Sequence, residues 1–227
     1  SKTWDDNDNQ DGKRPEKIVI NLLANDEVVR SQEVTADNNW TYSFTDLPKY
    51  ANGQEIEYTV SEAAVADYTA SYDGFNITNT HTPGKVSASV KKVWNDNDNQ
   101  DGKRPESITV SLLADGKATG TTVTLNEANK WSDTVTDLPE KADGKAIVYT
   151  WEEENVPEGY ELTGNTSDGT FTVITNTHTP ETTKVEGTKT WNDSDNQDGI
   201  RPDSITVNLF ANGVKVKSQE VTVANDW

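Results

Sequence analysis

Two stretches of the chain each direct a lysine, a glutamate and an asparagine onto strand faces that are otherwise apolar. From Val86 to Trp94, alternation with period two puts Val86, Ala88, Val90, Lys92 and Trp94 on one face. A later run aligns Ile147, Tyr149, Trp151 and Glu153, and the last aligns Ile174 and Asn176. The earlier stretch repeats this with Lys2 and Trp4, with Ile56, Tyr58, Val60 and Glu62, and with Phe75, Ile77 and Asn79. Lys91, Glu152 and Glu154 carry the same chemistry on the opposite face.

A buried polar group is more informative than an exposed apolar one. One reading of each triplet is a buried salt bridge beside a hydrogen-bonded amide. Such a pair is a poor stabiliser, because desolvation roughly cancels the attraction. The other reading is covalent. Burial drives a lysine toward its neutral amine and a glutamate toward its protonated acid. A neutral amine can attack the asparagine side-chain carbonyl while the acid polarises it and relays protons to departing ammonia. Lysine supplies the nucleophile, asparagine the leaving group and glutamate the acid, so the product is an amide between the first and last strands.

The elements that position these groups recur along the chain. Trp4–Pro15 returns almost unchanged as Trp94–Pro105, and again as Trp191–Pro202 with Ile200 in place of a lysine. Thr45-Asp-Leu-Pro48 recurs at Thr136–Pro139, and Ile77-Thr-Asn-Thr-His-Thr-Pro83 at Ile174–Pro180. Two copies are complete, at 1–83 and 84–180, and a third, 181–227, stops at Trp227, the counterpart of Trp40 and Trp131. Lys189 therefore has neither acid nor amide partner within its own copy and is expected to be unreacted. Ile18, Ile20 and Leu22, then Ile108, Val110 and Leu112, then Ile205, Val207 and Leu209 alternate with polar positions, and Asn-Gly, Asp-Gly and Leu-Pro break the runs. The pattern predicts an all-β chain of tandem antiparallel β-sandwiches, each of about 90 residues. Short linkers predict a semi-rigid rod. Two extra residues between Asp168-Gly169 and Asn176 predict a bulge in the second copy.

Leu, Ile, Val and Phe together number 43 of 227 residues, and the net charge is −19. Such a share, near 19%, is that of a disordered chain, although seven Trp and seven Tyr argue for a folded one. The acidity disfavours nucleic acid and anionic membranes as partners, and no apolar run is long enough to span a bilayer. The absence of Cys removes disulfides, thiolate catalysis and zinc–cysteine sites. Leader and anchor signals are expected outside this segment. The loop Asn7–Gly12 resembles the start of a calcium loop, but Ile18 stands where a bidentate glutamate belongs, and Asx-turns account for it more simply. No metal or cofactor is expected. His81 and His178 lack a recurring third ligand, and Trp40 and Trp131 read as core residues.

The motifs Lys-x-Trp-x-Asp, Asn-Gln-Asp-Gly-x-Arg-Pro, Leu-Pro, Tyr-Thr-x-x-Glu and Ile-Thr-Asn resemble those of the B-type repeats of the staphylococcal collagen adhesin, a module of Gram-positive surface proteins and pilins. The resemblance covers essentially the whole chain. It implies a reverse immunoglobulin-like sandwich with a spontaneous Lys–Asn isopeptide bond promoted by an acidic residue. Carried over by motif, the cross-linking pairs are Lys2 with Asn79 and Lys92 with Asn176, and the promoting acids are Glu62 and Glu153. The implied role is a stalk on the Gram-positive cell wall, extracellular, with neighbouring repeats as partners and a host matrix protein bound through another domain. A repeat that itself grips a host matrix ligand is the alternative, separable by pull-down on collagen and fibronectin. The only catalysis implied is single-turnover, on the protein itself.

Overall fold

The alternating runs become strands because a half-buried, pleated surface is where Val, Ile, Thr and Tyr pack best. The computed structural model describes residues 1–225, where strands form all regular structure apart from short 3₁₀ turns at Ala36–Asn38 and Val223–Asn225. The chain divides into two compact units, Ser1–Pro180 and the residues from Glu181 onward.

The first half of unit 1 contains β1 (Lys2–Asp5), β2 (Lys17–Ala24), β3 (Glu27–Thr35), β4 (Tyr50–Ala51), β5 (Gln54–Glu55), β6 (Tyr58–Glu62), β7 (Thr69–Asp73) and β8 (Asn76–Thr80). They form one sheet ordered β3-β2-β6 and another ordered β1-β8-β7, with β4 and β5 as a separate hairpin. The second half contains β9 (Lys85–Asn95), β10 (Ser107–Ala114), β11 (Lys117–Asn126), β12 (Ser132–Pro139), β13 (Lys141–Ala142), β14 (Lys145–Ala146), β15 (Tyr149–Glu153), β16 (Glu161–Asp168) and β17 (Phe171–Thr177). Its sheets run β11-β10-β15 and β12-β9-β17-β16, with β13 and β14 paired apart.

Pairing is antiparallel except between the first and last strands of each repeat, which run parallel. A parallel pair cannot be closed by a tight turn. Here the whole intervening sandwich is the connection. The register sets Lys2 opposite Ile77 and Trp4 opposite Asn79, and likewise Lys92 opposite Ile174 and Trp94 opposite Asn176. Each lysine thus lies diagonal to its asparagine on one sheet face.

Ile18, Ile20, Val34 and Ile77 form the first core, flanked by Trp4, Trp40, Tyr42, Phe44 and Val60. The second core is larger: Ala88, Val90, Ile108, Val110, Leu112, Leu125, Tyr149, Trp151 and Ile174. Two elements make the difference. The eleven-residue β9 contributes Ala88 and Val90, at positions whose counterparts in the first repeat would precede Ser1. The segment 132–139 forms a strand on β9 and packs Val135 and Leu138 inward, whereas residues 41–48 of the first repeat form no strand.

The bulge lies elsewhere than expected. The two extra residues lengthen the final hairpin, so that Asp168 pairs with Phe171 where Asp73 pairs with Asn76, and β17 itself stays regular. An insertion of two preserves a period of two, so Ile174 and Asn176 keep their inward face without a kink. The register shift falls on β16, between Leu162 and Gly164.

Unit 2 contains the hairpin β18 (Ser204–Ala211) and β19 (Val214–Thr222). The run Val185, Gly187, Lys189, Trp191 does not become a strand, and Val185 and Lys189 are exposed. In unit 1 the equivalent strand is held by the last strand of its repeat, which has no counterpart within 181–227. Trp227, aligned with Trp40 and Trp131, lies outside the described residues.

Candidate functional site

In each complete repeat, lysine and asparagine come from neighbouring parallel strands of one sheet, and glutamate reaches across from the facing sheet. Lys2 stands on β1, Asn79 on β8 and Glu62 on β6; Lys92 stands on β9, Asn176 on β17 and Glu153 on β15. The alternation of each strand dictates these inward faces, so Lys91, Glu152 and Glu154 point outward and are exposed. The side chains of Lys92 and Glu153 are both 0% exposed, those of Lys2 and Glu62 0% and 2%.

In the second repeat Glu153 connects the other two groups. Lys92 Nζ donates to Glu153 Oε2 at 3.1 Å, and Asn176 Nδ2 donates to Glu153 Oε1 at 3.0 Å. Asn176 Oδ1 is buried and accepts no hydrogen bond. The acid therefore faces the amide nitrogen, not the carbonyl oxygen it was expected to polarise. Burial pulls the Lys92 ammonium below the usual lysine range, with the Glu153 charge opposing.

The first repeat holds the same groups more loosely. Lys2 Nζ lies 3.9 Å from Glu62 Oε1 and donates instead to the Thr3 carbonyl at 2.8 Å. Both amide atoms of Asn79 are buried without a hydrogen-bond partner. Burial lowers the Lys2 ammonium to about 8, against the pull of Glu62 and Asp6. Burial also raises the Glu62 carboxyl, an effect that the nearby Asn79 amide and Lys2 charge oppose without cancelling.

Further residues of the repeated motifs brace this site, joined by tyrosines distant in the chain. The Trp4 and Trp94 rings sit beside the lysines, with Nζ 3.6 Å and 4.9 Å from the ring centroids. Trp40 and Trp131 pack edge-on against them, centroids 5.0 Å and 5.1 Å apart, as core residues do. Directly after β1, Asp6 is clamped by Arg14, whose Nε and Nη2 donate to it at 3.0 Å and 2.6 Å, and by the Tyr68 hydroxyl at 2.7 Å. Asp6 also accepts the Asn9 amide at 3.0 Å, which makes the repeated Asn-Asp-Asn-Gln segment an Asx-type turn. Asp96, Arg104 and Tyr160 rebuild this latch in repeat 2, and Asp193 with Arg201 rebuilds its ion pair in unit 2. The recurring Asp-to-Arg spacing of eight was a readable signal for the pair. Nothing local announces the tyrosines, which lie more than sixty residues away.

The other nominated residues are accounted for. In the loop Asn7–Gly12, Asn9 Oδ1 accepts the Arg14 backbone N–H at 2.8 Å and Asp11 Oδ2 accepts the Gly84 N–H at 3.0 Å. Each histidine ring nitrogen faces an acceptor: His81 meets the Asp67 carbonyl at 2.9 Å and Asp11 Oδ2 at 3.0 Å, and His178 meets the Gly159 carbonyl at 2.7 Å and Asp101 Oδ2 at 3.0 Å. Lys189 has none of the site's geometry. It is exposed, its Nζ 4.4 Å from the Trp191 ring centroid.

Comparison with known proteins gives one consistent result. Residues 1–80, 88–177 and 185–227 match the family of Cna protein B-type domains. The chain is 54% identical over 226 residues to a collagen adhesin of Staphylococcus aureus, covering 100% of this chain and 19% of the adhesin. A crystal structure of two B repeat units (B1B2) of the S. aureus collagen binding protein matches 100% of this chain and 61% of that one, with 54% identity and a TM-score of 0.62. One of a single B repeat unit (B1) matches 79% of this chain and 96% of that one, with 54% identity and a TM-score of 0.41.

Proposed function

The chain belongs to the family of Cna protein B-type domains, and on that premise we propose that each complete repeat seals itself with an isopeptide bond. Lys2 would join Asn79, promoted by Glu62, and Lys92 would join Asn176, promoted by Glu153. The observation that carries this reading is the placement of Glu153, with one carboxyl oxygen on the attacking nitrogen and the other on the leaving nitrogen. A neutral Nζ attacks Cγ of the asparagine, the Nζ–Cγ bond forms and the Cγ–Nδ2 bond breaks. The carboxyl takes a proton from Nζ on one oxygen and delivers one to Nδ2 from the other, so ammonia leaves and the acid is regenerated. Burial supports the first step, because it favours the neutral amine that must attack.

The bond's benefit is mechanical and entropic. Lys2 to Asn79 encloses 78 residues, and by the chain-entropy estimate used for disulfides such a closure is worth about 4–5 kcal/mol. Because the bond ties the first strand to the last, tension entering along β1 leaves along β8 without unfolding the sandwich between. The array, assigned as repeats 1–83, 84–180 and 181–227, would then serve as stalk segments of a cell-surface adhesin on a Gram-positive wall. Lys189 would remain a free amine within this chain. The 54% identity with a collagen adhesin supports that setting.

Intact-mass measurement tests the chemistry. The expected mass is the calculated value less two molecules of ammonia, one per complete repeat. Full calculated mass in a folded preparation would overturn the proposal.

A further inference from the structure

At the seam between the first two repeats, the turn Asp11-Gly12 of one meets the hairpin β13–β14 of the other. The Gly144 N–H donates to the Gln10 carbonyl at 3.1 Å. The linker residue Gly84 is held from both sides: its N–H donates to Asp11 Oδ2 at 3.0 Å, and its carbonyl accepts the Glu140 N–H at 3.0 Å. Asp11 Oδ2 also meets His81 Nε2 at 3.0 Å, which fixes the carboxylate between its own repeat and the linker. The two glycine backbones touch, since a Cβ on Gly12 would lie 2.6 Å from Gly144 Cα and one on Gly144 would lie 3.1 Å from Gly12 Cα.

We propose that this contact is a clasp that fixes the orientation of repeat 2 on repeat 1, with the Asp11-Gly12 turn as socket and the Asp143-Gly144 turn as plug. Three features distinguish it from a chance approach of two loops. Both backbone polar groups of the linking glycine are satisfied by different repeats, so rotation about the linker breaks at least one hydrogen bond. The Gly144-to-Gln10 bond spans the seam independently of the linker. Both turns also use a glycine at positive φ, 66° at Gly12 and 73° at Gly144, at a separation only a hydrogen side chain allows.

Repeat 2 supplies an internal control. Gly102 occupies the same turn with nearly the same φ, 68°, yet a Cβ placed on it meets nothing within 4 Å. Alanine at Gly12 or at Gly102 therefore imposes equal local strain, and only Gly12→Ala obstructs the seam. The chain has no cysteine, so Lys17→Cys and Lys117→Cys allow one spin label on an exposed site of each repeat. Pulsed dipolar spectroscopy should give a narrow distance distribution for the parent and for Gly102→Ala. Gly12→Ala should broaden it at least twofold, and Gly144→Ala should do so from the other side of the contact. An equally narrow distribution in both seam variants, or a parent already as broad as they are, would overturn the clasp. Neither result bears on the ammonia deficit, so the clasp and the cross-link are judged separately.

Discussion

The two complete repeats carry the same three groups on the same strand faces and hold them differently. In repeat 2, Glu153 bonds both Lys92 and Asn176; in repeat 1, Lys2 stands 3.9 Å from Glu62 and neither side-chain amide atom of Asn79 has a hydrogen-bond partner. The residue types and the parallel register are identical, so neither explains the contrast. The lysines themselves are held alike on the outer flank, since the Lys2 N–H donates to the Trp40 carbonyl at 3.1 Å and the Lys92 N–H to the Trp131 carbonyl at 2.8 Å. What differs is the segment that follows: residues 132–139 form a strand on β9, whereas residues 41–48 form none. In unit 2 residues 181–190 form no strand and Lys189 is exposed.

The largest expected effect removes the cross-link from one repeat at a time. Glu153→Gln should restore the mass of one ammonia and destabilise repeat 2 by about 4–5 kcal/mol, a fall in Tm of roughly 20 °C for a domain of this size. Glu62→Gln should do the same to repeat 1 and leave repeat 2 untouched, read by mass and by scanning calorimetry. The contrast between repeats also predicts an order of events. Repeat 2 should lose its ammonia before repeat 1 in newly synthesised protein, because there the glutamate already bonds both the amine and the amide. Simultaneous loss, followed by mass, would show that this closer contact does not matter.

The next effect concerns the latch. Arg14→Leu leaves the buried Asp6 carboxylate without its main partner and should cost repeat 1 about 2–3 kcal/mol. Arg201→Leu in unit 2 should cost less, because Asp193 is 29% exposed there against 1% for Asp6. Acid provides the matching test. Despite burial, Arg14, Tyr68 and the Asn9 amide hold the Asp6 carboxyl down at about 2, below its ordinary 3.8. A depressed carboxylate stabilises the fold above its unfolded value, so about 2 kcal/mol should be lost as the pH falls from 4 to 2. Arg14→Leu should flatten that loss in repeat 1 and preserve it in repeat 2, where Arg104 likewise holds Asp96 low.

The smallest effect lies on the alkaline side. His81 and His178 are raised above the ordinary imidazole value, chiefly by hydrogen bonds to Asp11 and Asp101. Around His81 the charged groups are Asp11, Asp67 with its partner Lys13, and Lys141 beside Asp11, with the Tyr68 ring packed against the imidazole. A raised histidine contributes its full stability below its unfolded value, near 6.5, and loses it as the pH rises through the higher folded value. Tm should therefore decline slightly from pH 6 to 8, and His81→Gln should remove the part due to repeat 1.

Much of this site was legible in the order of residues. Alternation fixes which side chains share a face, because successive Cβ atoms of a strand point to opposite sides. That rule alone separated Lys92 from Lys91 and Glu153 from Glu152 and Glu154, and self-similarity marked the two complete repeats. It could not place Tyr68 on Asp6, since neither residue's neighbours encode a partner sixty residues distant. Nor could it find the seam, where Gly12 matters only because Gly144 lies against it.

The sequence by itself determined the strand period, the faces, the repeat and the inward set of one lysine, one glutamate and one asparagine, all consequences of local backbone geometry. Tertiary structure decided that first and last strands lie parallel, that glutamate arrives from the opposite sheet, and how closely the three groups meet. Those outcomes depend on which strands become neighbours and how firmly each is held. The reason is that a strand's backbone hydrogen bonds are satisfied by other segments, not by itself. Identical residue sets therefore give a connected site around Lys92 and a looser one around Lys2.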